Sequence, residues 1–502
     1  MASHGSMPKI ESGAGRKVNH VPGALLLLVV SAVLVRGFLL GFPALCDTTE
    51  SRYGMIGFEM ARSGDWLTPR LWYKGVELPF WGKPPLHFWA TAVSFRVFGQ
   101  NEQAARIPGF LSGLAILASA ILFARRFWGM QAAAISGGVL ATSVLFLVLS
   151  GSCTTDITLA GFMAVAMASF AFCASASMGW SRRLWGLAFF AAMAGGVLTK
   201  GPVALVLAGL ALFAWAAIKR RWRDILALPW VAGIPLFLAL TVPWFLAEER
   251  ATPGFLRYYF VNEHFLRYVR HDYGDLYGGG HRRPWGFIWL YMAGSFLPWI
   301  FFWFRPAKRF FSRVSARREI VRDGWLVYAL AWGLAPAVFF TFARQVLATY
   351  LAPGMAGMAV ATGVMFSRRD NRAVIRTGWG VLLAAVLAVP VAAPFISEQF
   401  SACVVVRAVS ADPALTNKPL RFPLGEPYSG DFYSWKYLGR GIVHDPGQPG
   451  EECMRLAVGN RSRALLVMPR RKFLRLPPHL VSGLEKAVET RSWVVFRVKG
   501  AE

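Results

Sequence analysis

The chain alternates between long apolar stretches and short polar ones. Eleven stretches have the length and apolarity of a membrane crossing: 21–42, 107–124, 131–149, 157–177, 184–199, 203–218, 226–246, 285–304, 325–342, 347–366 and 375–396. A crossing helix takes about 17–25 residues, because every backbone polar group must be bonded within the segment across ~30 Å of hydrocarbon. The pattern predicts a mainly α membrane protein with about eleven transmembrane helices. Two stretches, 184–199 and 203–218, are short, so the count moves by two, to thirteen at most.

The polar residues between the stretches predict the orientation. Basic clusters at Lys9/Arg16/Lys17, Arg125/Arg126, Arg182/Arg183, Lys219/Arg220/Arg221/Arg223, Arg305 to Arg322 and Arg368/Arg369/Arg372/Arg376 all fall on one side. The opposite short loops, 150–156, 199–202 and 343–346, hold only Lys200 and Arg344. The positive-inside rule then puts the N-terminal segment 1–20 in the cytoplasm, and eleven crossings put the C-terminus outside. The first crossing is expected to be retained, since nothing small and cleavable follows it, and Met1 to Met7 read as an unstructured leader.

Three outside segments are long: 43–106, 247–284 and 397–502. The membrane module is therefore 21–396. The tail has β-rich runs at Cys403 to Val409, Ala464 to Val467 and Ser492 to Val498, and a helix-like stretch at 480–490. It reads as a small soluble α/β domain.

Composition sharpens this picture. Hydrophobic residues make up 55 % and charged residues 16 %, yet the net charge is +27. That apolarity excludes an ordinary soluble enzyme, and it excludes a disordered basic chain. About 22 of the 54 Lys and Arg residues lie in the one-sided clusters, so no nucleic acid is needed to explain the charge. The five cysteines are odd in number and lack metal spacing; Cys403 and Cys453, if outside, are either a disulfide or two thiols.

The candidate chemistry lies on the outer side. Asp47 and Glu50 follow the first stretch directly. Two carboxylates three apart are candidates for a general base or a ligand. The same spacing is a capping box, with Asp47 as N-cap and Glu50 at N3 of a helix over 49–63. Lys83 precedes Pro84-Pro85 and an aromatic helix over 85–98. A cation before a helix N-terminus suits a phosphate, and the rival is an interfacial lysine reaching to the membrane surface. Arg52, Tyr53, Asp156, Lys200, Glu263, His264, Arg267, Arg344 and Tyr350 recur on the same side, with Arg36 near it and a Gly/His/Arg run at 278–283. Ionisable groups at membrane depth are costly and usually face a cavity. Together these predict an outward-facing cavity for a phosphate-bearing lipid.

At these residues the chain resembles a known family. The run Asp47 to Tyr53, then Ser63-Gly64-Asp65-Trp66 to Arg70, Lys83-Pro84-Pro85-Leu86, and Phe98-Gly99 through Glu102 to Arg106 is similar to the first outside loop of the lipid A aminoarabinose transferases. These group with the dolichyl-phosphate-mannose protein mannosyltransferases as GT-C glycosyltransferases. The likeness continues in order through Thr155-Asp156, Lys200-Gly201-Pro202, Glu263-His264 with Arg267, and Thr349-Tyr350 with Pro353, over most of 21–366. It implies a monomeric, multi-pass enzyme of the bacterial inner membrane, with 397–502 as a periplasmic domain. The enzyme would move a sugar, such as 4-amino-4-deoxy-arabinose, from a polyprenyl-phosphate donor to a lipid A phosphate or another envelope acceptor. It implies an acidic catalytic residue in the 43–106 loop and a lysine, Lys83, on the carrier phosphate.

Two departures matter. The family pattern has adjacent Asp-Glu before x-Arg-Tyr, whereas Thr49 stands before Glu50 and the aspartate is Asp47. Gly82 stands where the family often has an acid before the lysine. If that acid shares a divalent metal with the loop histidine, His264 is left as its lone ligand. The expected mechanism is inverting displacement, with Asp47 or Glu50 orienting or deprotonating the acceptor. Lys83, Arg267 and Arg52 or Arg344 would hold the carrier phosphate. The rival function is a flippase for a polyprenyl-linked sugar, which needs the same cations but no chemistry.

Overall fold

A computed structural model describes residues 21–269, 276–277, 282–304, 308, 312, 314–367, 372–445, 450–459 and 462–500. The N-terminal segment 1–20, Gly278 to His281 and parts of the basic clusters at 305–313 and 368–371 lie outside the described residues.

Each of the eleven apolar stretches is helical, but the breaks fall differently from expectation. Two predicted crossings, 107–124 and 131–149, are two helices within Glu102–Ala141 that meet at a kink. The basic loop between them shrinks to Gly129, whose φ of 84° only glycine adopts without strain. The second of these crossings stops at Ala141 and resumes as Val144–Leu149. The 285–304 stretch divides at Pro298 into Phe287–Ser295 and a 3-10 turn, Trp299–Trp303. Among the described residues, six helices are long and apolar enough to cross a membrane: Gly23–Gly41, Glu102–Ala141, Thr155–Ser175, Trp230–Ala251, Ala348–Phe366 and Arg372–Phe400. The protein is a multi-pass membrane protein. Thr155–Ser175 and Ala348–Phe366 are each buried over 78 % of their apolar window, against 11 % for the peripheral Arg372–Phe400.

The two short stretches are longer than expected, Trp180–Lys200 and Val203–Lys219. They meet at Gly201-Pro202. Gly201 has φ 81°, and a Cβ there would lie 2.1 Å from the Tyr259 hydroxyl oxygen, so glycine is required twice over.

The first long loop, 43–106, folds as predicted into a helix, Thr49–Ser63, ended by a left-handed Gly64, and a second helix, Leu86–Phe98. Between them β1 (Arg70–Tyr73) and β2 (Val76–Pro79) form a hairpin turned at Lys74-Gly75. Both turn residues have positive φ, 53° and 75°, the type I′ geometry that matches strand twist. The two helices touch closely: a Cβ on Gly57 would lie 2.7 Å from the Thr91 methyl carbon.

The tail contains a four-stranded mixed sheet ordered β3 (Leu420–Arg421), β4 (Leu465–Pro469), β6 (Trp493–Val498) and β5 (Leu484–Glu489). Two local expectations are corrected. Cys403–Ser410 is a helix, not a strand, because Val405, Val406 and Val409 bury one helical face. The stretch expected to be helical over 480–490 is largely β5, whose alternation is broken by a bulge between Lys486 and Val488. No disulfide joins Cys403 and Cys453.

The tail and the first loop share one hydrophobic core. Leu45, Tyr53, Ile56 and Phe88 from the loop cluster with Val405, Phe432, Tyr433 and Leu465 from the tail. Polar contacts reinforce it. Leu45 N–H donates to the Tyr433 hydroxyl at 2.7 Å, Gln100 donates to the Phe432 carbonyl at 2.8 Å, and Lys436 pairs with Glu102 at 2.5 Å.

Candidate active site

A cavity of about 530 Å³ opens where the first loop, the second loop and the ends of four bundle helices meet. This is within the ordinary range for small-molecule sites. Nine of the twelve sequence-predicted residues line it: Arg52, Tyr53, Lys83, Asp156, Lys200, Glu263, His264, Arg267 and Tyr350. Residues more than 290 positions apart thus converge, because Lys83 precedes a helix, Asp156 begins one and Lys200 ends one.

The charged groups form two clusters. Glu263 accepts from Lys83 Nζ at 2.5 Å and from Arg267 Nη1 at 2.7 Å, while Arg267 Nε donates to Gln345 at 3.2 Å. Burial would raise the Glu263 carboxyl, but the two cations outweigh it and hold it down at about 2. In the second cluster Lys200 donates to Asp156, and its ammonium lies 4.4 Å from the Tyr350 ring centroid. Arg52 lies against Tyr53 and Phe80 at 5.3 and 5.5 Å. Among the described residues four cations therefore face two carboxylates, a surplus of two positive charges. Much of the remaining wall is apolar, including Val206, Phe265, Phe339 and Phe340.

His264 sits between two backbone carbonyls, with Nδ1 2.8 Å from Tyr259 O and Nε2 3.3 Å from Lys200 O. Burial lowers its pKa, so it is neutral near pH 7. Among the described residues no group of three His, Cys, Asp or Glu side chains is placed to hold a metal. The two His264 contacts bring the second loop against the Lys200 turn.

The three other predicted residues do not line the cavity. Glu50 takes a bidentate fork from Arg106, 2.8 Å on each oxygen, and accepts Cys153 N–H at 3.1 Å. Burial would raise its carboxyl, and Arg106 overrides this and lowers it. Asp47 accepts from Ser51 Oγ at 2.6 Å, from Ser429 N–H at 3.0 Å and from the Ser429 hydroxyl. Its donors are neutral, and burial raises its pKa. The capping box is not formed either, since Thr48 occupies the N-cap and makes no side-chain cap. Arg344 stacks on Trp285 at 3.9 Å, and the neighbouring Gln345 faces the cavity in its place. Sequence reasoning missed Gln345, whose only signal was its place beside a flagged arginine. It also missed Arg106, whose signal was its position at the end of the last first-loop motif.

Residues 43–259 match the family model for dolichyl-phosphate-mannose-protein mannosyltransferase. Curated relatives include the undecaprenyl phosphate-alpha-4-amino-4-deoxy-L-arabinose arabinosyl transferase of Enterobacter sp. strain 638, 28 % identical over 67 % of this chain and 58 % of that protein. The Shewanella sediminis protein of the same name is 30 % identical over 69 % of this chain and 61 % of its own. The matched region thus spans about three fifths of the curated relatives' length. In overall structure the chain is similar to ArnT from Cupriavidus metallidurans bound to undecaprenyl phosphate, with a TM-score of 0.76 and 24 % identity over 94 % of this chain and 98 % of that one. Fold and site together define a multi-span membrane protein with a charged cavity at the meeting of two long loops and the bundle. The chain is similar in sequence to the aminoarabinosyl transferases and shares the fold of ArnT.

Proposed function

We propose that the protein is a glycosyltransferase that takes a sugar from a polyprenyl-phosphate carrier and places it on a lipid A phosphate at the periplasmic face of the bacterial inner membrane. The sugar is 4-amino-4-deoxy-arabinose or a related amino sugar. The N-terminus is cytoplasmic and the tail periplasmic. The observation that carries this reading is the cavity's surplus of two positive charges beside an apolar wall. A lipid phosphate carries one to two negative charges and an apolar tail, so it complements both features.

Lys83, Arg267 and Arg52 hold the carrier phosphate and stabilise its growing charge as the anomeric carbon–oxygen bond breaks. The Asp156–Lys200 pair orients the incoming acceptor oxygen on the other side, giving inversion. Asp47 and Glu50 are both engaged outside the cavity, and this favours an acceptor that is already ionised. A hydroxyl acceptor on a protein needs a base, whereas a phosphate oxygen does not.

The test is transfer by purified protein from undecaprenyl phosphate-linked aminoarabinose to lipid A, read by mass spectrometry. A flippase binds the donor and forms no product. If a peptide hydroxyl is modified and lipid A is not, the acceptor assignment falls while the transferase assignment stands.

A further inference from the structure

A second concavity, about 410 Å³, lies between helices Trp180–Lys200, Val203–Lys219 and Trp230–Ala251. Its lining is aliphatic and aromatic throughout, including Phe189, Phe190, Phe213, Trp222 and Trp230. It extends along Val203–Lys219 from Leu205 toward the basic end of that helix. The cavity described above is at the other end, where Pro202 and Val203 line it. Seventeen helical residues separate the ends by roughly 25 Å.

Two tryptophans frame the far end. Trp222 packs edge-on against Phe213 at 5.3 Å, and Trp230 against Phe190 at 5.2 Å. Amphipathic indoles favour the level of the lipid headgroups. Four cations surround Trp222, and two are already engaged. Lys219 donates to the Val321 carbonyl at 2.6 Å, and Arg221 pairs with Asp224 at 2.5 Å while lying over Trp215. Arg220 and Arg223 are exposed, and among the described residues their guanidinium groups have no acidic partner. Groove and cations together match a molecule with an apolar chain and an anionic head at this membrane surface.

We propose that the groove is a structural lipid site that holds one acyl chain of a diacyl phospholipid, with its anionic headgroup on Arg220 and Arg223. The polyprenyl carrier fits this less well. Its phosphate has Lys83 and Arg267 at the opposite end, and a chain threaded from there leaves Arg220 and Arg223 without an anion.

The test uses the full-length protein in nanodiscs of phosphatidylcholine containing a minor fraction of phosphatidylglycerol, with retained lipid read by native mass spectrometry. Phosphatidylglycerol should be enriched on the protein. Arg220→Gln and Arg223→Gln should each lower that enrichment about 5-fold, the effect of one surface cation on an anionic lipid. Gly209→Phe should fill the groove and release the lipid, because a Cβ at Gly209 meets nothing within 4 Å and the ring is added from open space; a size-exclusion profile matching the wild type checks that the variant is folded. Undecaprenyl phosphate binding at the Lys83 cavity should be unchanged in all three. Equal retention of the two phospholipids overturns the proposal. So does wild-type enrichment in the variants, or a retained lipid that is a polyprenyl phosphate.

Discussion

Asp47, in the first long loop, accepts both the backbone N–H and the hydroxyl of Ser429, which lies in the first turn of a tail helix 382 positions later. The aspartate that sequence reasoning offers as a catalytic base thus joins the first long loop to the tail. Adjacent Tyr428 reaches to 6.0 Å from Arg52, so the same joint touches the cavity wall. Asp47→Asn and Ser429→Ala are predicted to cost about 1–3 kcal/mol each, and the double variant less than their sum. A double-mutant cycle on thermal unfolding checks this. Full additivity would mean that the two do not act together.

Glu50→Gln is predicted to be more damaging than Asp47→Asn. It leaves Arg106, 2 % exposed, without its carboxylate. Breaking a buried pair on one side costs about 3–5 kcal/mol. Arg106→Lys should not substitute, because an ammonium cannot make the two-oxygen fork. Fluorescence-detected size-exclusion profiles should show low yield or aggregation for both. A well-folded Glu50→Gln that lacks transfer would return Glu50 to the chemistry.

Lys83→Ala is predicted to weaken undecaprenyl phosphate binding by about 10- to 100-fold, the range of one charge-assisted bond. Arg267→Ala should behave alike. Glu263 is held at about 2, so it is ionised at any working pH and its support for the site fails only in strong acid. The pH profile of donor binding should show no step from Glu263 between pH 5 and 8. Binding measured by tryptophan fluorescence over that range tests both points.

Asp156→Asn is predicted to lower kcat while leaving donor affinity nearly unchanged, since Asp156 pairs with Lys200 away from the Lys83–Glu263–Arg267 cluster. A large rise in donor KM with normal kcat would move Asp156 to the donor side.

The tail carries a pH dependence of its own. Burial raises the Asp431 carboxyl to about 6, opposed by His444, whose Nε2 lies 3.8 Å away, and by the Ile442 N–H. Glu426 and Glu59 add negative charge nearby. A raised carboxyl favours its protonated form. Its stabilisation is complete below the unfolded value of ~4 and is lost as pH rises through about 6. Asp431→Asn, uncharged throughout, should match the wild type at pH 4 and unfold at a higher temperature at pH 7.5. Parallel melting curves across that range would contradict this.

Much of the site was legible in the sequence because polar residues in an apolar chain are rare and costly. Lys83, Asp156, Lys200, Glu263 and Arg267 stood out for that reason, and they converge on one cavity. Direction was not legible. Asp47 and Glu50 have the right chemistry at the right depth, but spacing does not reveal their partners, Ser429 in the tail and Arg106 at the far end of the same loop. The tail shows the same limit. Cys403 to Val409 is β-branched and apolar, yet its burial repeats with helical period, and a bulge in β5 disguised a strand as a helix.

The central claim is that the Lys83 cavity performs sugar transfer to a phosphate without Asp47 or Glu50 as base. The most direct measurement is product formation by purified, folded wild type, Asp47→Asn and Lys83→Ala, given undecaprenyl phosphate-linked aminoarabinose and lipid A. Aminoarabinose-modified lipid A should form with the wild type and Asp47→Asn at comparable kcat, and should be lost or need far more donor with Lys83→Ala. No product with the wild type, or a folded Asp47→Asn that binds donor and transfers nothing, would contradict it.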